Sequence, residues 1–193
     1  IDAPMRVLFV DMYAAGANFN YVGTNHYLIA ACGMTAFAVC EDTAEANSTA
    51  FARALMKIWM RFGFSHTIVV DKDSKFLSVF SATAALLKIN IHVLSGDNHN
   101  PIIVERVNRY LNKYLTIFTN EREDVRSVLE GILMSLYAWN SAPVIGTDIS
   151  RSLLVVRREF NFRLDFSTEQ HQILTSSNLK VTPFATEQAR LLV

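Results

Sequence analysis

Two cysteines, four prolines and seven glycines in 193 residues leave little from which to build a covalent or loop-rich scaffold. Cys32 and Cys40, with seven residues between them, fit no zinc spacing and define no disulfide framework. Both stand in apolar β-type runs, so buried free thiols in a reducing compartment are expected. An excess of either charge is missing too, since 18 basic residues cancel 18 acidic ones. Nucleic acid therefore cannot be held through overall charge, and any such binding must use a local patch. No apolar run approaches the ~18 residues of a membrane-spanning helix. The chain begins at Ile1 with nothing like a signal peptide, so it is expected to be a segment of a longer protein.

What is present is core material. Hydrophobic residues make up 51% and charged residues 19%, which suits one packed domain and excludes disorder. Met5–Val10 is a short strand-forming run, and Asp11 follows it at once. His26–Ala31 and Met34–Cys40 are two further strand candidates with Gly33 between them, so three antiparallel strands in series are expected. Asp42, with Glu45 three residues on, has the pattern of a capping box and predicts a helix start. Phe51, Leu55, Ile58, Trp59 and Phe62 share one face of that helix, and Gly63 stops it. Thr67–Val70 is a short buried strand ending at Asp71, and strand–helix–strand makes it parallel.

A second helix is expected over Ser74–Leu87, a last strand over Ile89–Leu94 and a polar loop over Ser95–Pro101. The next helix carries Glu105 and runs to about Phe118, with Ile103, Val107, Tyr110, Leu111, Tyr114 and Phe118 on its apolar face. Asp124 opens another, with Val125, Val128, Leu129, Ile132, Leu133 and Leu136 as its stripe, ending near Trp139-Asn140. Periodicity fades from Thr147, so residues 1–160 are read as the domain and 161–193 as an irregular extension or linker.

Three carboxylates carry the chemistry. Asp11 and Asp71 each end an apolar strand, and Glu105 comes early in a helix after a polar loop that can bring it to the same sheet edge. Converging carboxylates repel one another unless cations hold them. Hard ions such as Mg²⁺ or Mn²⁺ take such oxygen ligands and, as a pair, serve phosphodiester chemistry. The plainer reading stays open: aspartate after a strand also starts turns and caps helices, and Glu105 can pair with Arg109 four residues on. Arg106, Asn108, Arg109, Asn112 and Lys113 cluster near Glu105. They read either as a solvated helix face or as a short strip that tracks DNA phosphates without sequence specificity.

Several stretches occur together in a telling order. They are Phe9-Val10-Asp11, Met34-Thr35-Ala36-Phe37-Ala38, Arg61-Phe62-Gly63-Phe64, Val69-Val70-Asp71-Lys72-Asp73-Ser74-Lys75-Phe76 and Val104-Glu105-Arg106-Val107-Asn108-Arg109. Tyr137-Ala138-Trp139-Asn140 follows, continuing through Gly146-Thr147 to Arg158-Glu159-Phe160. Over roughly residues 5–160 the sequence resembles the integrase catalytic core of LTR retrotransposons, particularly the gypsy-like group, and more distantly that of retroviruses. The resemblance implies an α/β, RNase H-like fold: a mixed five-stranded sheet flanked by helices. It implies a D,D,E site of Asp11, Asp71 and Glu105 holding two Mg²⁺ (or Mn²⁺) ions. The implied activity is 3′-end processing of element DNA and transfer of that end into target DNA. Element and target DNA would be the partners of a homo-oligomer made within a cytoplasmic polyprotein and acting in the nucleus.

Two departures from the family pattern stand out. Pro101-Ile102-Ile103 replaces a polar, glycine-containing loop before the glutamate, and Val155-Val156-Arg157 replaces a small-residue turn. The 33 residues between Asp71 and Glu105 are slightly fewer than the family's usual gap. Two other functions remain in view: a catalytically inactive or domesticated DNA-binding or dimerisation module, and an RNase H-like nuclease that cuts without joining.

Overall fold

The computed structural model describes residues 3–15, 26–43, 45–71, 81, 84–94, 103–121 and 128–159. Five strands form one sheet: β1 (Val7–Ala14), β2 (His26–Cys32), β3 (Ala38–Thr43), β4 (Thr67–Asp71) and β5 (Asn90–Leu94). Their order is β3-β2-β1-β4-β5. The pairs β1–β2 and β2–β3 are antiparallel, whereas β1–β4 and β4–β5 are parallel. The sheet is therefore mixed, as expected, with β1 at its centre.

Helix α1 (Ser48–Phe62) covers one face of the sheet, and α2 (Ile103–Glu121) with α3 (Val128–Ser141) covers the other. Strand alternation sorts the side chains. Leu8, Val10, Leu28, Ala30, Ile68 and Val70 pack with Phe51, Leu55, Ile58 and Trp59 of α1. Tyr13, Tyr27, Ile29, Ala31 and Cys40 pack with Val104, Val107, Leu111 and Leu115 of α2 and with Val128, Ile132 and Leu136 of α3. The two helices come close at Gly131, where a Cβ would stand 2.7 Å from Leu115 Cδ2.

Several boundaries differ from the sequence reading. Asp42 starts no helix: it pairs with Tyr27 inside β3, and Asn47 caps α1 by accepting from the Ala50 N–H at 2.9 Å. The β2 ladder continues to Thr43, whose hydroxyl donates to the His26 carbonyl at 2.9 Å, and this extends the strand past the capping-box pattern. Gly63 does stop α1, at φ 83°, its N–H donating to the Trp59 carbonyl. Leu133 faces solvent at 49% exposure, whereas Val104, left out of the expected stripe, is buried.

A short helix, α4 (Arg151–Val156), occupies the region where periodicity had faded. Arg157 ends it in a left-handed conformation (φ 56°), which costs a non-glycine residue about 1 kcal/mol. Of the helix expected over Ser74–Leu87, residue 81 and residues 84–86 are helical. Its residues 74–80 and 82–83, the loop expected over 95–101 and the start expected at Asp124 lie outside the described residues, as does the extension expected over 161–193. Cys32 and Cys40 are free and buried, and burial pushes the Cys40 thiol up to about 12. Among the described residues no helix is long and apolar enough to cross a membrane.

Asn140 ties α3 to the edge strand. Its Oδ1 accepts from the Ala38 N–H at 2.9 Å, and its Nδ2 donates to the Ala38 carbonyl at 2.8 Å. Truncation strands both groups next to the core. Asn140→Ala is expected to lower unfolding free energy by about 2 kcal/mol in urea titrations, with Asn140→Asp also destabilised because a carboxylate cannot donate.

Candidate active site

β1 does not stop at Val10. It continues to Ala14 because β2 keeps pairing with it, Asp11 opposite Ile29 and Ala14 opposite His26. Asp11 is thus a mid-strand residue, not the strand-end residue that the sequence pattern implied. Relative to β4, however, it does stand past the ladder. Val7, Leu8 and Phe9 pair with Thr67, Ile68 and Val69, so two residues further on Asp11 comes level with Asp71. Adjacent strands lie about 4.8 Å apart. Phe9 and Tyr13 pack on the α2 side, and alternation puts Asp11 there with them. Ile68 and Val70 pack on the α1 side, so Val69 and Asp71 take the α2 side. Asp71 is the last residue of β4 and pairs with Leu94.

Glu105 stands in the first turn of α2, where the helix dipole favours a negative charge. Asp11, Asp71 and Glu105 together line one cleft of about 30 Å³, with Val10, Val69, Val70, Leu94 and Val104 as its apolar walls. Asp11 is half-buried, and Asp71 and Glu105 are exposed. The Asp11 carboxyl is raised above its usual 3.8, first by burial. The Met12 N–H and the Asn108 amide oppose this rise, and the charges of Asp71 and Glu105 add to it. Asp11 thus feels both of the other carboxylates electrostatically.

Asp11 is also held by protein donors. Its Oδ1 accepts from the Met12 N–H at 2.8 Å and its Oδ2 from Asn108 Nδ2 at 2.8 Å. The other end of the Asn108 amide, Oδ1, is buried with no partner among the described residues. Among the described residues no group of three His, Cys, Asp or Glu side chains is gathered tightly enough to hold a metal ion. The donors lining the cleft are nonetheless oxygen atoms, the kind that hard divalent cations take. A cation shared by the three would require Asp11 to exchange at least one of its present hydrogen bonds.

The candidate DNA strip divides in two. Arg106, Arg109 and Lys113 are exposed. Asn108 turns inward to Asp11, and Asn112, although exposed, accepts from the Tyr13 hydroxyl at 2.7 Å. Ile103, half of the unusual Ile102-Ile103 pair, opens α2 and packs against the Val104 side of the core. Sequence reasoning missed Tyr13 and Arg151. Tyr13 lies two residues after Asp11, a spacing that places both on one strand face once β1 is known to continue.

The sheet order, the helices on both faces and the carboxylate-lined cleft define an α/β protein with the RNase H-like fold of integrase catalytic cores. The solved structures it is similar to agree. A chain from the simian T-cell lymphotropic virus intasome in complex with PP2A regulatory subunit B56 gamma superposes with TM-score 0.68 at 16% identity, covering 85% of this chain and 57% of that one. This chain therefore spans little more than half of that viral chain. The HTLV-2 integrase catalytic core domain in complex with magnesium gives TM-score 0.61 at 16% identity in its dimeric form and 0.62 at 15% in its trimeric form. Each comparison covers 79% of this chain and 97% of the viral domain. No protein-family model matches the chain, and no curated protein matches it in sequence.

Proposed function

We propose that this chain is the catalytic core of a retroelement integrase, of the gypsy-like LTR type, acting on DNA by metal-dependent phosphodiester substitution. One observation carries the reading: in an integrase-core fold, Asp11, Asp71 and Glu105 from three separate elements line one cleft. In this reading the three carboxylates hold two Mg²⁺ or Mn²⁺ ions. Such ions, when bound, lower the pKa of an attacking water or 3′-hydroxyl and neutralise the leaving oxygen. Asp71 and Glu105, being exposed, meet the substrate side of the cleft, while Asp11 anchors it from the central strand. Arg106, Arg109 and Lys113 neutralise phosphates along α2, and Asn108 and Asn112 set the inner margin of that strip. Reaction with element ends and target DNA would take place in the nucleus, in a homo-oligomer released from a polyprotein.

The test is joining of an oligonucleotide 3′ end to plasmid DNA in Mn²⁺, comparing the chain within its full-length product with a Glu105→Gln variant. Joining in the first and at least about a hundredfold less in the second is expected, since a lost ligand removes several kcal/mol of transition-state stabilisation. Cleavage without joined product would instead identify a nuclease. A second reading has its own observation: both Asp11 oxygens are engaged by Met12 and Asn108. DNA binding with neither cleavage nor joining would favour an inactive, domesticated DNA-binding or dimerisation module.

A further inference from the structure

The face of α2 that meets the sheet has a weakness. Its buried residues Val104, Val107, Leu111 and Leu115 recur every three or four positions. Such a stripe packs nearly as well after the helix slides by one turn, about 5.4 Å, because one aliphatic side chain then takes the place of another. Sliding of that size would carry Glu105 out of the cleft it shares with Asp11 and Asp71. Something other than the apolar stripe must fix the helix lengthwise.

Two polar contacts meet that need. Asp11 on β1 accepts from Asn108 at 2.8 Å, and Tyr13 on β1 donates to Asn112 at 2.7 Å. Two strand residues advance about 6.7 Å, and four helix residues advance about 6.0 Å. The two contacts therefore have matching pitch, and α2 must run alongside β1 in the same direction. A slip of one turn cannot keep both contacts: it brings Asn112 towards Asp11 and leaves Tyr13 facing Thr116, or brings Asn108 towards Tyr13 and leaves Asp11 facing Val104. The Asp11 contact alone is a weak lock, since that carboxylate belongs to the cleft and must change partners if the cleft takes a cation. Tyr13 has no such conflict. It is 4% exposed, its ring sits in the α2-side core, and its hydroxyl reaches the helix surface at Asn112.

We propose that Tyr13 is a positioning residue: its hydrogen bond to Asn112 sets the lengthwise register of α2 on β1 and so places Glu105 at the cleft. The consequence for Glu105 rests on the cleft being the reaction site proposed above. A half-buried polar contact that discriminates between registers plays the role that lone polar residues play in coiled-coil seams.

The test compares the full chain with Tyr13→Phe and with Tyr13→Phe/Asn112→Leu, which keeps packing but has no polar register. Hydrogen exchange reads α2 directly, and calorimetric titration with Mn²⁺ reads the cleft, with Glu105→Gln as control. In Tyr13→Phe, α2 amides near Glu105 and Asn108 are expected to exchange about tenfold faster, the scale of one hydrogen bond, with sheet amides unchanged. Mn²⁺ affinity is expected to fall by a similar factor, and the double variant is expected not to restore it. Unchanged α2 exchange, equal acceleration throughout the sheet, or full recovery in the double variant would overturn the proposal. If α2 exchange rises selectively while Glu105→Gln binds Mn²⁺ as well as the parent chain, the register lock stands and the metal reading of the cleft falls.

Discussion

Asp11→Asn is expected to reduce Mn²⁺-dependent joining by about a thousandfold while leaving the melting temperature in chelator unchanged or raised. The loss follows from removing an anionic ligand worth several kcal/mol, at about tenfold per 1.4 kcal/mol. The stability outcome follows from the surroundings of Asp11. Its carboxyl is raised above the usual value by burial, with Asp71 and Glu105 adding to the rise. The folded protein therefore binds this proton more tightly than the unfolded chain. The stability Asp11 contributes is fully present below its unfolded pKa and is lost as pH climbs through the raised value. At neutral pH the charge is a cost, which asparagine removes.

The neighbours can accept the change. The oxygen of the substituted amide would keep the Met12 N–H. Turning the Asn108 amide over would bring Oδ1, which has no partner among the described residues, to the new amide nitrogen and move Nδ2 to where that oxygen stood. Differential scanning fluorimetry in chelator should show the variant's advantage shrinking as pH falls towards the unfolded pKa of Asp11. Mn²⁺ should raise the parent's melting temperature and leave the variant's unmoved, because only a state that binds the ion gains from it. A variant that joins DNA at the parental rate, or melts well below the parent at neutral pH, contradicts this account.

Features built from local pattern were legible in the sequence, and features built from distant pairing were not. The α1 stripe, its stop at Gly63, the buried run before Asp71 and the helix bearing Glu105 each follow from a few adjacent residues. The capping-box pattern at Asp42 misled because a neighbouring strand decides the matter: pairing with Tyr27 holds Asp42 extended, and Asn47 takes over the cap. The same holds for Asp11, whose charge looked like a strand end but whose backbone is kept in the ladder by Ile29. The contacts that position the cleft span long separations, 99 residues for Tyr13–Asn112 and 97 for Asp11–Asn108. No periodicity encodes them. Only after β1 and α2 lie side by side does the spacing of two on the strand and four on the helix acquire meaning.

Arg151→Ala is expected to destabilise the fold by about 4 kcal/mol, more than Asn140→Ala, because it removes two charge-assisted hydrogen bonds and a ring contact together. Arg151 opens α4 but serves the end of α3: its Nη1 donates to the Trp139 carbonyl at 2.9 Å and to the Ala142 carbonyl at 3.0 Å. α3 has no basic residue in its own last turn, so this guanidinium supplies the positive charge that a helix C-terminus favours. Its carbon also lies 4.3 Å from the centre of the Trp139 ring, which in turn meets Tyr110 edge-on at 5.0 Å. Burial, with Arg106 adding, lowers the Arg151 pKa. Two hydrogen bonds from a charged donor at about 1.5–3 kcal/mol each, plus a cation–π contact of about 1–2, outweigh the desolvation regained on truncation. Lysine should restore less than half of the loss, because its point charge can reach a carbonyl but cannot lie flat on Trp139 while holding two. Urea unfolding of the alanine and lysine variants measures both differences. Since Tyr110 lies on α2, loosening of this corner should also speed hydrogen exchange on α2 around Tyr110 and Tyr114. An alanine variant within about 1 kcal/mol of the parent, less than one such hydrogen bond, would mean that water replaces the guanidinium at those carbonyls without cost.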